Sequence, residues 1–481
     1  MREYRAHRKK VDKIKTYFRR ITSTSSWGFL FFIFLFMLSG CSGLRSFIEN
    51  PDQSYSSLAP FTKKVLDNGL TVIVKEVHST PIVAVYFWVN TGSVNENPKI
   101  MGISHFYEHM FFKGTERRKV GDMDRIIKGL GGYNNAFTSV EYTSYYVVVP
   151  SENFSTAFDI LFDALTKSVF PPVEVDKERE VVKREIDRSE DIPLNKLSNE
   201  FRAEIFKGTP YAQPVLGTQE TLDGIGRREL LKYKRNFYVP NNMSVVVVGN
   251  INTDEVITQI KEATRDFKPD PQVKSRLAHF TFIPQEKIRE KTFEKDVKQT
   301  YMLLGFPDYG RANMKEVYVL DVASTILGGG RSSRLYQRLL EKEGLVTSVS
   351  AWIWPLKEAG VFAVQAVFSP KNFERVKTEV LEEVGKMREE PISEKELKRA
   401  KMMLKADFAF SNETDAAMAA TLGRYETIAQ AKDALVYVQE IDKVTVADIK
   451  RVMSKYARGN NYTLCAIVPR KPAAPLKIEH P

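Results

Sequence analysis

His105-Phe106-Tyr107-Glu108-His109 sets two imidazoles and a carboxylate within little more than one helical turn. In an α-helix, side chains three and four positions apart share a face, with Cβ atoms roughly 5–6 Å apart. His105 and His109 can therefore hold one metal ion between them, with Glu108 close enough to take a proton from a water that the ion acidifies. The chain has only 6 histidines, so two of them at this spacing beside a carboxylate form a specific signal. The plainer alternative is a surface helix carrying a fortuitous His-Glu-His cluster.

A site of this kind needs a third protein ligand and one position left open. The best candidate is Glu185, in the charged stretch Glu178-Arg179-Glu180-Val181-Val182-Lys183-Arg184-Glu185, which reads as helix. Glu178 and Glu185 are seven apart, so two turns bring both carboxylates to one face. Taken alone, this run reads first as a solvated acidic face laced with i, i+4 charge pairs.

Together, His105, Glu108, His109, Glu178 and Glu185 resemble the pitrilysin-type metallopeptidases, the HxxEH family of mitochondrial processing peptidase and insulin-degrading enzyme. The likeness extends to Gly102-Ile103-Ser104, to Phe112-Lys113-Gly114-Thr115 and to Gly131-Gly132-Tyr133-Asn134-Asn135-Ala136-Phe137-Thr138. It continues through Pro210-Tyr211, Gly217-Thr218, Leu327-Gly328-Gly329-Gly330 and Ser333-Arg334-Leu335, covering most of the chain from about Leu66 to Pro469. The resemblance implies one Zn2+ per chain held by His105, His109 and Glu185, with Glu108 as general base and Glu178 as an additional catalytic-site glutamate. It also implies an edge strand around Asn135, Ala136 and Phe137 that pairs with an extended peptide substrate, a role suited to unpaired backbone groups. Without the metal motif upstream, Gly131-Gly132 would read equally well as an ordinary turn into a strand. Iron in the same donor set is the disfavoured alternative metal, since two histidines and a carboxylate also make a facial triad.

A chain of 481 residues at 43% hydrophobic can bury a sizeable core and would normally form two or more domains. The net charge of +11 is unevenly placed: residues 1–40 hold nine Lys/Arg against Glu3 and Asp12, leaving the rest an ordinary surface. No basic stripe interleaved with aromatics follows, so nucleic-acid binding has no support.

The basic head leads into the apolar stretch from Trp27 to Leu38 and then Ser39-Gly40-Cys41-Ser42. This pattern describes a secretory signal over residues 1–40, too short to span a bilayer comfortably. Leu38-Ser39-Gly40-Cys41 resembles a bacterial lipobox, which implies lipidation of Cys41 and a weakly patterned tether over 41–60. An uncleaved signal anchor is the alternative. Ser42 after the cysteine implies the outer membrane, with the chain in the cell envelope and facing the periplasm. The second cysteine, Cys465, lies in the strand-like Tyr462–Val468 and reads as a buried free thiol, so no intrachain disulfide framework exists.

Val72–Val74, Val83–Val89, Tyr145–Val149 and Ser244–Val248 read as strands, while Ser155–Leu165 and Asp176–Arg188 read as helices. The second half repeats the first. Phe154 and Phe373, each after a strand pattern, lie 219 positions apart, as do Asn242 and Asn461 before strand patterns. A fixed offset argues for a duplicated α/β unit. We expect a zinc-binding catalytic domain over 61–268, a linker over 269–284 marked by Pro269, Pro271 and Pro284, a homologous domain over 285–470, and a tail over 471–481. The positions equivalent to His105, His109 and Glu185 are Ser324, Gly328 and Leu404, so the copy lacks the metal chemistry. The resemblance implies an α+β fold in which each unit packs a mostly antiparallel sheet against helices.

One departure stands out. Self-sufficient relatives usually carry an Arg and a Tyr seven apart, flanking a Lys-Glu-x-Leu segment. Placing Lys342-Glu343-Gly344-Leu345 in that register puts Leu340 and Thr347 at the two positions. Arg338 or Tyr336 could substitute only against the helix direction. The resemblance therefore implies a homologous, non-zinc partner subunit that supplies the pair in a heterodimer, with a homodimer as the plainer alternative. From another class, the fold could serve as a non-catalytic, peptide-binding or scaffold lipoprotein.

Overall fold

The computed structural model describes residues 58–470. The stretch ending at Cys41, the tether up to residue 57 and the tail 471–481 lie outside the described residues. Leu58, read from sequence as tether, is only 1% exposed and packs against Tyr86 and Trp88 in a shared apolar cluster, so folded structure already includes this residue.

The architecture is α+β, in two tandem units. The first sheet contains β1 (Thr62–Val65), β2 (Thr71–Glu76), β3 (Ile82–Val89), β4 (Tyr133–Thr138), β5 (Thr143–Pro150) and β6 (Met243–Gly249), in the order β1-β2-β6-β3-β5-β4. The second contains β7 (Arg289–Lys295), β8 (Thr300–Asp308), β9 (Val346–Pro355), β10 (Gly360–Phe368) and β11 (Thr463–Pro469), in the order β7-β11-β8-β10-β9. Without β1, the two orders match strand for strand. Each sheet has one parallel pair, β2 with β6 and β7 with β11, and is otherwise antiparallel.

The longer helices of the first unit are α1 (Ile103–Phe111), α2 (Asp122–Gly129), α3 (Phe154–Lys167), α4 (Pro172–Asp191), α5 (Pro193–Ile205), α6 (Arg227–Phe237) and α7 (Thr253–Ala263). Those of the second are α8 (Met314–Gly328), α9 (Phe373–Glu389), α10 (Glu394–Phe410), α11 (Asp415–Ile428), α12 (Asp433–Lys443) and α13 (Val446–Tyr456). The 219-residue offset holds at both ends of α6 and α13. It holds for hydrogen bonds as well: Asn242 Nδ2 donates to Phe237 O (2.9 Å), and Asn461 Nδ2 donates to Tyr456 O (2.8 Å). α4 outruns the expected 176–188 because Pro172 opens it without needing its missing N–H, and it closes just before Pro193.

Strand composition follows from burial on both faces. In β3, Val83, Val85, Phe87 and Val89 point into the core of their own unit, while Ala84, Tyr86 and Trp88 point the other way and are buried too. A strand covered on both sides reads as a continuous apolar run rather than an alternation, as Val245–Val248 of β6 also shows. The second cover comes from the opposite unit. Met418, Leu422 and Tyr425 of α11 pack on the first sheet, and Leu197, Phe201 and Ile205 of α5 pack on the second. Cys465 of β11 lies under this second cover, and burial pushes its thiol up to about 12. Among the described residues, no helix is long and apolar enough to cross a membrane.

Candidate metal centre

The metal-motif helix, α1, is pinned at its first turn. Its N-cap is Gly102, at φ +90°, where a Cβ would lie 2.5 Å from Leu216 O and 2.8 Å from Gly217 Cα. Glycine at 102 is therefore required both by its left-handed backbone and by the loop pressed against it. With no hydroxyl cap available, the Glu96 carboxylate accepts the N–H groups of Gly102 (2.6 Å) and Ser104 (2.8 Å). These are donors that a helix start otherwise leaves unpaired. Burial raises this carboxyl to about 7 despite the two bonds. Ile103, Phe106, Tyr107, Met110 and Phe111 anchor α1 in the core.

Opposite it, α4 presents Glu185. Its Oε2 lies 3.3 Å from His109 Nε2 and 3.8 Å from His105 Nε2, and one ligand atom from each of the three residues falls within 4.8 Å of the others. Ligand atoms on a common tetrahedral zinc stand roughly 3.3–3.5 Å apart, given bonds of about 2.0–2.2 Å, so this donor set fits such an ion with little movement. Glu178, two turns earlier on α4, places Oε2 3.2 Å from His109 Nδ1, and its Oε1 accepts from Lys113 Nζ (2.6 Å). Holding Nδ1 leaves Nε2 facing the cluster, the arrangement that orients a metal-ligating histidine. Glu178 thus positions His109, while Lys113 positions Glu178. His105 Nδ1 is buried without a protein partner.

The electrostatics call for a cation. Burial, and the neighbouring His109, push His105 down to about 4, so its imidazole stands neutral with a lone pair available. Burial works against charge on His109 as well, but Glu178 and Glu185 outweigh it and raise the ring to about 9. The hydrogen bond from His109 holds both carboxyls below their ordinary range, with Lys113 adding to the effect at Glu178. Glu108 differs: burial raises its carboxyl, and the hydroxyl of Thr138, donating to Oε2 at 2.5 Å, offsets part of that shift.

Thr138 ends β4, which also carries Asn135, Ala136 and Phe137. Among the described residues β4 pairs with β5 alone and forms the rim of its sheet, so its free edge belongs to the strand whose last residue touches Glu108. The Ala136 N–H donates to the Asn135 side chain (2.8 Å). Glu96, Thr138 and Lys113 are contributors that sequence reasoning left without roles. Lys113 and Thr138 sit inside recognised segments, whereas Glu96 carries no local signal.

Among the described residues, the second unit offers no counterpart. At Gly328, equivalent to His109, even a Cβ would lie 2.1 Å from Ala351 N, and Leu404 packs on the second core. Leu340 and Tyr336 also pack there, and Thr347 donates to Val367 O (3.0 Å). Arg338 is consumed by ion pairs with Glu343, Glu379, Glu382 and Glu383.

Comparison with known proteins agrees with this layout. The insulinase family, peptidase family M16, matches residues 71–219, and the M16 inactive domain matches residues 224–404. An uncharacterized zinc protease of Rickettsia bellii is 32% identical over 365 residues, 76% of this chain and 87% of that protein. Another, from Bacillus subtilis, is 28% identical and covers 84% of this chain and 97% of its own length. Among solved structures, a protease from Helicobacter pylori aligns with a TM-score of 0.80 at 26% identity, covering 85% of this chain and 99% of that one. Matched along both of its units, this chain belongs to peptidase family M16, the pitrilysin-type metallopeptidases.

Proposed function

We propose that the chain is a zinc-dependent endopeptidase that cleaves peptides or unfolded segments within a cleft. The observation that carries this reading is the convergence of His105, His109 and Glu185 within 4.8 Å, with the Glu108 carboxylate held beside them by Thr138. Zinc, held by those three residues, would supply the charge that polarises the scissile carbonyl and makes water acidic near neutral pH. Glu108 takes the proton of the attacking water and passes it to the departing amine. Thr138 keeps one carboxylate oxygen engaged so that the other faces the reaction. Glu178 and Lys113 hold His109 in orientation. The free edge of β4, at Asn135, Ala136 and Phe137, binds the substrate backbone as an added strand.

Quenched fluorescent peptides, offered to the chain lacking residues 1–41, test this. Hydrolysis should require zinc, stop with 1,10-phenanthroline and vanish in Glu108→Gln, which should retain the metal. Bound zinc without hydrolysis in any mixture would instead favour a non-catalytic peptide-binding role.

The fate of Arg338 supports a divided site. With its guanidinium committed to four glutamates and Leu340 packed inward, this chain brings neither Arg nor Tyr to the expected positions. A homologous, non-zinc subunit would supply them, so activity should appear or rise sharply when such a partner is added. Full activity of the chain alone would rule this out. We further propose lipidation at Cys41 and attachment to the bacterial outer membrane on the periplasmic side. Loss of palmitate labelling in Cys41→Ala is the expected result.

A further inference from the structure

A cavity of about 540 Å³ lies between the end of α4, the length of α5 and the loop through Gly217. Two of its walls belong to, or press on, the helices that carry the candidate metal ligands. Ser189 lies one turn beyond Glu185 on the same face of α4, and Gly217 is packed on Met101 and Gly102 at the start of α1, so tightly that a Cβ there would lie 2.2 Å from Met101 O. The loop is tied to α4 as well, since Gln219 Nε2 donates to Asp187 Oδ1 (2.8 Å).

Arg202 of α5 lines this cavity and is only 8% exposed. Its Nη2 donates to Asn199 Oδ1 (3.2 Å), and among the described residues its buried Nε has no partner and no carboxylate pairs with it. A guanidinium cannot shed its proton under ordinary conditions, so burying one without a counter-charge is costly. Desolvation lowers it to about 10, still far above neutrality. Of the acids lining the cavity, Glu190 pairs with Lys196 and Glu200 with Lys196 and Lys291, while Glu220 is exposed and hydrogen-bonded to Thr218 and its own N–H.

We infer that this cavity is a specificity subsite, in which Arg202 and Asn199 receive the carboxylate of an acidic side chain on a peptide lying across the metal centre. The assignment rests on the peptidase reading for its substrate class, but the geometry of the subsite does not depend on turnover. A planar guanidinium suits a carboxylate because two parallel N–H donors match its two oxygens. A free oxyanion would satisfy the same charge, and the test separates the two sources.

The zinc-loaded chain carrying Glu108→Gln removes the need for turnover. Fluorescent peptides of one extended sequence, with a single Glu or a single Gln moved along it, are titrated by anisotropy. One Glu position should bind roughly 10–100-fold tighter than its Gln counterpart, the range for a hydrogen bond to a charged group. Adding Arg202→Gln, with zinc content and melting temperature verified, should erase that preference, and Asn199→Ala should reduce it. Equal binding of every Glu/Gln pair, or a preference that survives Arg202→Gln, overturns the assignment. If inorganic phosphate binds through Arg202 but no peptide preference exists, the cavity is a free-anion site and the inference is wrong. Should Arg202→Gln fail to fold, the Glu/Gln comparison in the unaltered subsite still decides. Acid-selective binding without hydrolysis by the wild-type chain in any mixture, with homologous partners included, would remove the peptidase reading and leave the subsite standing.

Discussion

Glu108 is steadied by one hydroxyl, and that contact has a kinetic consequence. Thr138→Val keeps the volume but removes the donor, leaving a buried carboxylate with one bond fewer and freer rotation. The expected result is unchanged zinc content with kcat down about tenfold or more, a loss within the range general-base positioning contributes. Metal analysis beside steady-state kinetics checks it, and an unaltered kcat would reduce Thr138 to a packing role. His105, Glu108 and His109 were legible because their chemistry is written in helical spacing, which sequence displays directly. Glu178 and Glu185 needed one step more, the two-turn repeat that sets them on one face. The grip of Thr138 on Glu108 spans 30 positions between a helix and a strand, and no local period encodes such an approach. Arg202 was equally hidden: in sequence it is one charge among many on a helix, and only burial without a counter-charge among the described residues singles it out.

For the element that carries the site, the decisive contact is the Glu96 cap on α1. The carboxyl titrates near 4.5 when exposed and near about 7 when buried, since desolvation outweighs both the two N–H donors and the positive end of the helix. The neutral form is the one the fold favours. Its contribution is therefore fully present below 4.5 and is lost as the pH rises through 7, about 3 kcal/mol across that window. Glu96→Gln imitates the protonated acid and should remove the dependence. The gap in melting temperature between wild type and variant, followed from pH 5 to 8, should shift steadily in favour of the variant. A constant gap would mean that the carboxyl ionises in the fold as it does in water. Sequence patterning found α4 and underestimated its length, because Pro172 looks like a breaker until its place in the first turn is known. It found no reason for Glu96, whose effect depends on a loop folding back onto a helix start.

At the scale of the whole molecule, the two units share their covers. The repeat was readable from a fixed offset, but a helix with an apolar face does not announce which sheet it covers. Here α11 closes the first sheet and α5 the second, and each crossing has a tight point. A Cβ on Gly423 of α11 would lie 2.0 Å from Trp88 Nε1, and one on Gly305 of β8 would lie 2.7 Å from the ring of Phe201. Gly423→Ala should lift α11 from the first sheet and cost about 1–3 kcal/mol, the usual penalty for overpacking a filled core. Because that sheet also supports α1 and β4, the loss belongs to the complete chain and not to one half. Zinc provides the complementary test, since the three residues proposed to hold it all lie in the first unit. At a thousandfold excess over its Kd, binding adds about 4 kcal/mol to whatever unfolds together with the site. Calorimetry should therefore show one transition that zinc moves as a whole and that Gly423→Ala lowers. Two transitions, with zinc raising only one, would mean that the units melt independently and that their exchanged helices merely touch.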